Sequence, residues 1–509
     1  MGTIKPLRWG VICLLVVLTA CQQQVVEQGE LRVGVAQLPM SLDPRFATDA
    51  ASHKVQALIH RGLIRLDNDF IPQADIAASW QHPDALTWLF ELKKDVYFHD
   101  GSHLEAKDVA ATLRGVLNKD LVSPLRAGFA SVESVDVLSP YQLRLNLNKA
   151  DSSLLTRLSL GIVPEAMANK PHQARNIMGA GVFKLQAWHG NDLLLRRVRS
   201  STTSNIEVLH FIRVKDAVTR CLKLVRGEID FTQNDLPPDL LPYLKKQKHL
   251  TIQAQASTTF SYLGMNIQDA TLKDVHVRQA LALAVDRKRL KKALFSDLPE
   301  LAETVLTNNH WAMTPLPETL FDPKKAEEIL DGAGFPRAKD GVRFTLNYRT
   351  STDPARLRLA TAIADMWQKI GVHVSIESLE WGGFYARIKR GDFQVFSLSW
   401  VGIVDPDIYR WILHSDMWPP KGANRGRYSN ADVDSWLESA SESESVKQRK
   451  RLYAKIQGKM QQDQVYIPLW YEPVLAVSSK RLQNFKPSSD GSLLGLLDAN
   501  IKLVGKEKL

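Results

Sequence analysis

The sequence predicts an α/β protein organised on a parallel sheet. Three observations carry that expectation. From the strand that ends near Arg349 to Trp400 the chain reads strand, helix, strand, helix, strand, the pattern of a parallel sheet with covering helices. The last of these strands, Phe393 to Trp400, is apolar on both faces, as a buried central strand must be. A chain of 509 residues, 44% hydrophobic and 24% charged, is globular and long enough for several domain-sized units with large cores.

That strand opens into Val401-Gly402-Ile403-Val404-Asp405-Pro406-Asp407. A buried strand running into a loop that carries an aromatic and two acids marks the place where α/β proteins hold ligands, outside the carboxyl end of the sheet. The plainer alternative is a core strand followed by an ordinary Asp-Pro turn.

The N-terminus stands apart from the fold. Lys5 and Arg8 precede an apolar run, Val11 to Leu18, which is too short to span a bilayer comfortably. It ends in Leu18-Thr19-Ala20-Cys21, which looks like a bacterial lipoprotein signal. The expectation is a signal peptide over 1–20, lipid on Cys21 and a polar tether over 21–29, with either membrane leaflet open. An uncut anchor is the alternative. Cys13 lies in the leader, so Cys221 stands alone in the exported chain, which leaves no disulfide and no cysteine-based metal or redox pair.

The formal charge of +10 is spread along the chain, with short clusters such as Arg287-Lys288-Arg289 on predicted helix faces. No zinc-finger spacing and no nucleic-acid-binding aromatic strand appears, so nucleic acid is not expected as a partner. Gly179-Ala180-Gly181 lacks the third glycine and the following helix of a nucleotide loop. No Gly-x-Ser-x-Gly and no His-Glu-x-x-His is present, so no catalytic residue, metal or cofactor is assigned. His99 and His103 are four apart, but Gly101 between them argues against one helix face. His310, His414 and Met417 are scattered and read as solvated side chains rather than metal ligands.

In chain order, residues 30–36 form a strand and 51–63 carry helical spacing at Val55, Leu58 and Ile59. Leu86, Trp88, Phe90 and Leu92 alternate as one face of a strand. After the turn at His99-Asp100-Gly101, a helix from Glu105 presents Val109, Leu113 and Val116 on one stripe. Val277, Ala280, Leu281, Ala284 and Val285 mark another helix. Asp322-Pro323 and Asp353-Pro354 are two N-cap and N1 pairs, and Gly332 with Gly334, and Gly371, are the matching stops. Val372, Val374 and Ile376 alternate as a strand, and a short helix runs from Trp381 to Lys389.

Several of these stretches together resemble the large solute-binding proteins of peptide and nickel ABC importers. Phe98-His99-Asp100-Gly101 and Ala106-Lys107-Asp108-Val109 match that family's strand, turn and helix. Gly179 to Phe183 resembles its Gly-Thr-Gly-Pro-Tyr turn, with Val182 for proline. Gly227-Glu228-Ile229-Asp230, Val277-Arg278-Gln279-Ala280-Leu281, Tyr428-Ser429-Asn430 with Asp434, and Val465 to Trp470 follow in register. The family's Asn-x-x-Tyr-Trp segment is missing from 197–205. The resemblance covers roughly residues 30–490, nearly all of the exported chain.

The resemblance implies a two-lobe periplasmic-binding-protein fold of the large type, shaped like a flytrap. Lobe 1 would comprise 30–263 and 472–509, with an extra subdomain at about 48–165, and lobe 2 would comprise 264–471. It implies a non-enzymatic, monomeric, periplasm-facing protein of the bacterial envelope, captive to the membrane through its lipid. Such a protein takes a peptide or peptide-like solute into the cleft and passes it to an ABC permease. The ligand residues implied or read beside it are Trp400 as the aromatic wall, Tyr262 and Trp381 as further rings, Arg349 for a solute carboxylate, and Asp405 and Asp407 in the loop. Dipeptide-binding relatives carry an acid three residues after this tryptophan, and here Ile403 stands there. That departure leaves room for longer or capped peptides, murein peptides, nickel chelates or haem. An exported hydrolase and a non-transport scaffold of the same fold are the rival readings.

Overall fold

The computed structural model describes residues 29–502 apart from 48, 199–202, 235 and 444. The leader, Cys21 and the tether up to residue 28 lie outside the described residues. Among the described residues no helix is long and apolar enough to cross a membrane.

An 11-stranded sheet runs through the molecule. Two long strands, Leu250–Met265 and Tyr466–Ser479, lie side by side at its middle and belong to both ends. Their antiparallel pairing joins 250–256 to 473–479 and 260–264 to 466–471, with the register shifting between Ala256 and Phe260 and again between Ser261 and Tyr262. Pro473 and Pro468 stand opposite these two irregularities. Proline has no N–H to give a ladder, so it is tolerated where the ladder is already broken.

On one side of the shift, Phe231–Gln233 joins residues 476–478, followed by Glu30–Val35 and Val208–Arg213, all three parallel to one another. On the other side, Val395–Trp400 pairs with residues 260–265, followed by Phe344–Ser351 and Val372–Leu379, again mutually parallel. The antiparallel pairings fix the directions. The parallel strands of each half run toward the shift, so the two sets of carboxyl ends face each other across it. Val35 and Gln233 lie at one set, and Ser351, Leu379 and Trp400 at the other.

The expected elements form for the expected reasons. The Asp322 and Asp353 carboxylates accept the N–H groups of Lys325, and of Ala355 and Arg356, with Pro323 and Pro354 at the first helical turn. The strand Val395–Trp400 is buried on both faces. Phe396 and Leu398 pack with Phe260 and Tyr262 into one core, and Val395 packs with Leu263 and Met265 into another. That explains its continuous apolar run.

A separate antiparallel sheet of four strands, Ala77–Asp84, Thr87–Leu92, Gln142–Leu147 and Val132–Ser139, carries the helix Ala106–Leu117 on its buried face. Trp88, Phe90 and Leu92 are buried there as their alternation requires. Leu86 departs from that alternation. It sits in the hairpin turn before the strand, its N–H taken by the Asp84 carboxylate at 2.9 Å, and its side chain is exposed.

Candidate functional site

Trp400 ends its strand opposite Phe260. Its indole is partly buried and lies parallel to the Tyr262 ring, 6.2 Å between centres and 5° between planes. The guanidinium of Arg425 sits over the Trp400 ring, 4.2 Å from its centroid. Arg425 donates to the Tyr262 hydroxyl at 3.0 Å and to the Tyr385 hydroxyl at 3.2 Å. Tyr385 and Trp381 are one turn apart on the helix Trp381–Arg390 and stack at 5.7 Å with 8° between planes. Three of the residues expected from sequence, Tyr262, Trp381 and Trp400, are therefore brought into one row, with Tyr385 and Arg425 joining them.

The members of that row are not equivalent. Trp381 is 49% exposed. Tyr262 is fully buried, which corrects the expectation that it forms a ring wall open to solute. Strand alternation turns it into the core, burial holds its phenol above the ordinary range, and it backs Trp400 from beneath.

Arg349 is likewise committed. Parallel register places it beside Glu377, and its guanidinium pairs with both Glu377 and Asp392, the latter at 2.8 Å. Arg387 joins the same two carboxylates. Ile403 is buried in the core around Phe260, with its N–H on the Thr258 carbonyl at 3.1 Å.

Asp405 and Asp407 lie at a contact between the two sides rather than against the Trp400 ring. One Asp405 oxygen accepts the Thr156 hydroxyl at 2.7 Å, and the other accepts the Asp407 N–H at 2.9 Å. Thr156 belongs to the short helix Leu154–Arg157, which packs against the four-stranded unit. Nearby, Phe70 stacks on His310 at 5.4 Å, and the Trp311 N–H reaches the Asp69 carbonyl at 3.2 Å. Replacing Thr156 by valine leaves one Asp405 oxygen without its donor and is expected to weaken this contact by about 1–2 kcal/mol. A more expanded scattering profile of the variant checks it.

Burial, with Asp405 and Asp151 close by, pushes the Asp407 carboxyl up to about 6. Burial pulls His310 down to about 4. The signs oppose each other. Asp407, raised above its ordinary 3.8, contributes stability that is full below that value and lost as pH rises through about 6. His310, held below its ordinary 6.5, contributes stability that is full above that value and lost as pH falls through about 4. Between these limits the two slopes offset. Asp407→Asn removes one of them, so the melting temperature of the variant is expected to fall with acid between pH 6 and 4 more steeply than that of the parent. The excess is at most about 1.4 kcal/mol per pH unit. Thermal melts at three pH values measure it.

The opposite wall is a cavity of ≈ 260 Å³ at the carboxyl ends of Glu30–Val35 and Phe231–Gln233, lined by Val35, Gln37, Lys54, Gln233 and Leu493 among others. The Gln233 amide donates to the Gly491 carbonyl at 2.8 Å, while its Oε1 is buried without a hydrogen-bond partner. An acceptor in that state, at the rim between the two sets of strand ends, suits a solute N–H. Another cavity, of ≈ 400 Å³, lies by Tyr97, Phe98, His99 and Gly181, away from these ends. Among the described residues no three His, Cys, Asp or Glu side chains gather to hold a metal ion.

Sequence reasoning passed over Arg425, Tyr385 and Gln233. Tyr385 was within its reach, being four residues from Trp381 on a predicted helix. Arg425, within Gly422-Ala423-Asn424-Arg425-Gly426-Arg427, has no local signal that sets it apart from a surface arginine.

Comparison with known proteins bears on this arrangement. Residues 72–417 match the model described as bacterial extracellular solute-binding proteins, family 5 Middle. The oligopeptide-binding protein AppA of Bacillus subtilis is 26% identical over 486 residues, covering 90% of this chain and 89% of that protein. The structure of NikZ from Campylobacter jejuni in complex with Ni(L-His) aligns with a TM-score of 0.73 and 26% identity, over 92% of this chain and 98% of that one. HbpA2 from Haemophilus parasuis shares the fold with a TM-score of 0.83 and 23% identity, over 93% of this chain and 100% of that one.

Proposed function

Given that the chain belongs to family 5 of the bacterial extracellular solute-binding proteins, we propose that it captures a peptide or peptide-like solute between its two lobes and delivers it to an ABC permease. The relatives are binding proteins of transport systems and not enzymes. The observation that carries the reading is the opposition of two sets of strand carboxyl ends, with Trp400 on one side and the Gln233 cavity on the other. Peptide as the solute class is supported by the likeness to AppA, an oligopeptide-binding protein. It is also supported by the aromatic surface of Trp400 and Trp381 lying across from the cavity beside Gln233, an arrangement that suits an extended backbone.

In this reading the lobes pivot where the two crossing strands lose register, at Ala256–Phe260 and Tyr471–Pro473, so that lobe 2 begins near Phe260, a few residues before the 263/264 division the resemblance implies. Few backbone angles need change there for the cleft to close. Driving such a swing from mostly open to mostly closed needs about 5.5 kcal/mol of difference in solute affinity between the two forms. Thr156 on Asp405 and Phe70 on His310 latch the closed edge. Trp400 and Trp381 form the solute side of lobe 2, with Tyr262 and Arg349 as its support and the Asp405–Asp407 loop at the latch. A lipid on Cys21 keeps the monomer at the periplasm-facing membrane surface, supported by the Leu18-Thr19-Ala20-Cys21 sequence.

Native mass spectrometry of protein purified from its own host tests the reading. A retained mass that fragments as a peptide, together with a higher melting temperature on adding it back, is the expected result. Turnover of that peptide would instead identify a hydrolase, and neither retention nor stabilisation would identify a scaffold.

A further inference from the structure

We infer that the captured solute carries an anionic group at the lobe 2 end of the cleft and that Arg425, assisted by Arg356, holds it. The inference rests on the capture reading above. Arg425 is 8% exposed, and among the described residues no carboxylate lies within ion-pair distance of it. Its neighbours are the Trp400 face, the Tyr385 ring at 5.6 Å and the two tyrosine hydroxyls. Ring faces and phenol oxygens ease the burial of a cation, but they bring no net negative charge. A guanidinium cannot give up its proton in response, so the balancing charge has to arrive from outside.

A second cation stands at the same row. Arg356, in the first turn of the helix Pro354–Lys369, lies 6.0 Å from the Trp381 ring centroid and donates to the Ser397 carbonyl at 3.3 Å. It too has no carboxylate partner among the described residues. Acids on or beside the neighbouring strands are already engaged. Glu377 and Asp392 serve Arg349 and Arg387, and Glu472 accepts the hydroxyls of Ser261 and Ser399. Ile403 adds no charge. The row Trp381, Tyr385, Trp400 therefore carries two arginines without a carboxylate partner, with the Lys389 ammonium also 5.2 Å from the Tyr385 ring, in a partly dry setting where such charges act strongly. Planar guanidinium beside an aromatic ring suits a carboxylate, held in a fork while the adjoining apolar part of the solute lies on the indole. The carboxylate could be the end of a peptide chain or an acidic side chain.

The test uses the purified full chain and three pools of synthetic tetrapeptides built from Ala, Leu, Tyr and Gly. One pool has free C-termini, one is amidated, and one is amidated with a single Glu. Affinities are read by calorimetry. The free-acid pool, the Glu-containing pool or both are expected to bind at least tenfold tighter than the neutral amides, and which one does so identifies the source of the carboxylate. Arg425→Gln should bring acid and amide to within threefold of each other, and Arg356→Gln should narrow the gap by a smaller factor. If Arg425→Gln fails to fold, judged by circular dichroism, the acid-to-amide ratio of the parent and of Arg356→Gln decides. Equal binding of all three pools by the parent overturns the inference and leaves capture standing. An acid preference that both variants retain overturns the assignment to these arginines. Binding of no pool overturns the peptide reading and this inference with it.

Discussion

Trp400→Ala is expected to weaken solute capture by about 2–4 kcal/mol, the range of an aromatic anchor at the centre of an interface. Three consequences combine in that number. The indole is a partly exposed ring at the carboxyl end of Val395–Trp400, so its loss removes the aromatic face nearest the Arg425 guanidinium. It also uncovers the Tyr262 ring beneath it. And it strips Arg425 of the ring face that lies 4.2 Å away, admitting water to a cation that the cleft keeps nearly dry. Trp381→Ala is the matched control, because that ring is at the edge of the row and half exposed. Its expected cost is below about 1 kcal/mol, in line with residues at a solvated rim. Calorimetric titration of both variants with one peptide pool compares them directly, and equal losses would remove Trp400 from the centre of the site.

The largest loss of stability is expected from Gly179→Ala. A methyl group on that residue would stand 2.1 Å from the Ile59 carbonyl oxygen and 2.7 Å from the His60 ring. Neither neighbour has room to withdraw, since Ile59 ends the helix Ala50–Ile59 and its carbonyl accepts the Gly181 N–H at 2.7 Å. The Gly179 carbonyl in turn accepts the His99 N–H at 3.0 Å, so this segment is threaded between a helix end and the Phe98–Gly101 turn. Overpacking against backbone costs about 3 kcal/mol, at or beyond the upper end for side-chain crowding. Gly458→Ala provides the contrast. It lies inside the helix Val446–Gln462, where an added methyl would have nothing within 4 Å, and it is expected to gain about 0.5–1 kcal/mol from helix propensity. Melting temperatures of the pair should move in opposite directions.

What the sequence made legible follows from local chemistry. Aspartate caps with proline behind them, glycine stops, and the period of apolar residues locate helices and strands through contacts made within a few residues, so Asp322, Asp353 and the 393–400 strand read correctly. Trp400 at a carboxyl end was legible for the same reason. The fate of Tyr262 was harder to foresee, since it needs the partner strand that buries one face. The commitment of Arg349 depends on Asp392, 43 residues on, and on the parallel register that brings Glu377 beside it. Arg425 is defined by an absence, that of any acid in reach, and an absence in space leaves no mark on a one-dimensional chain. The Thr156 to Asp405 contact spans 249 positions and is likewise a product of the assembled fold.

Closure of two lobes upon a solute is reported by one distance. Spin labels at Val122 on the four-stranded unit and at Val446 on the far lobe occupy exposed positions that touch neither the cleft nor the latch. Double electron–electron resonance should give two distances without solute, one matching the latched form and one longer, and the short distance alone once a free-acid tetrapeptide pool is added. A single distribution that the pool leaves unchanged would contradict a clamping protein.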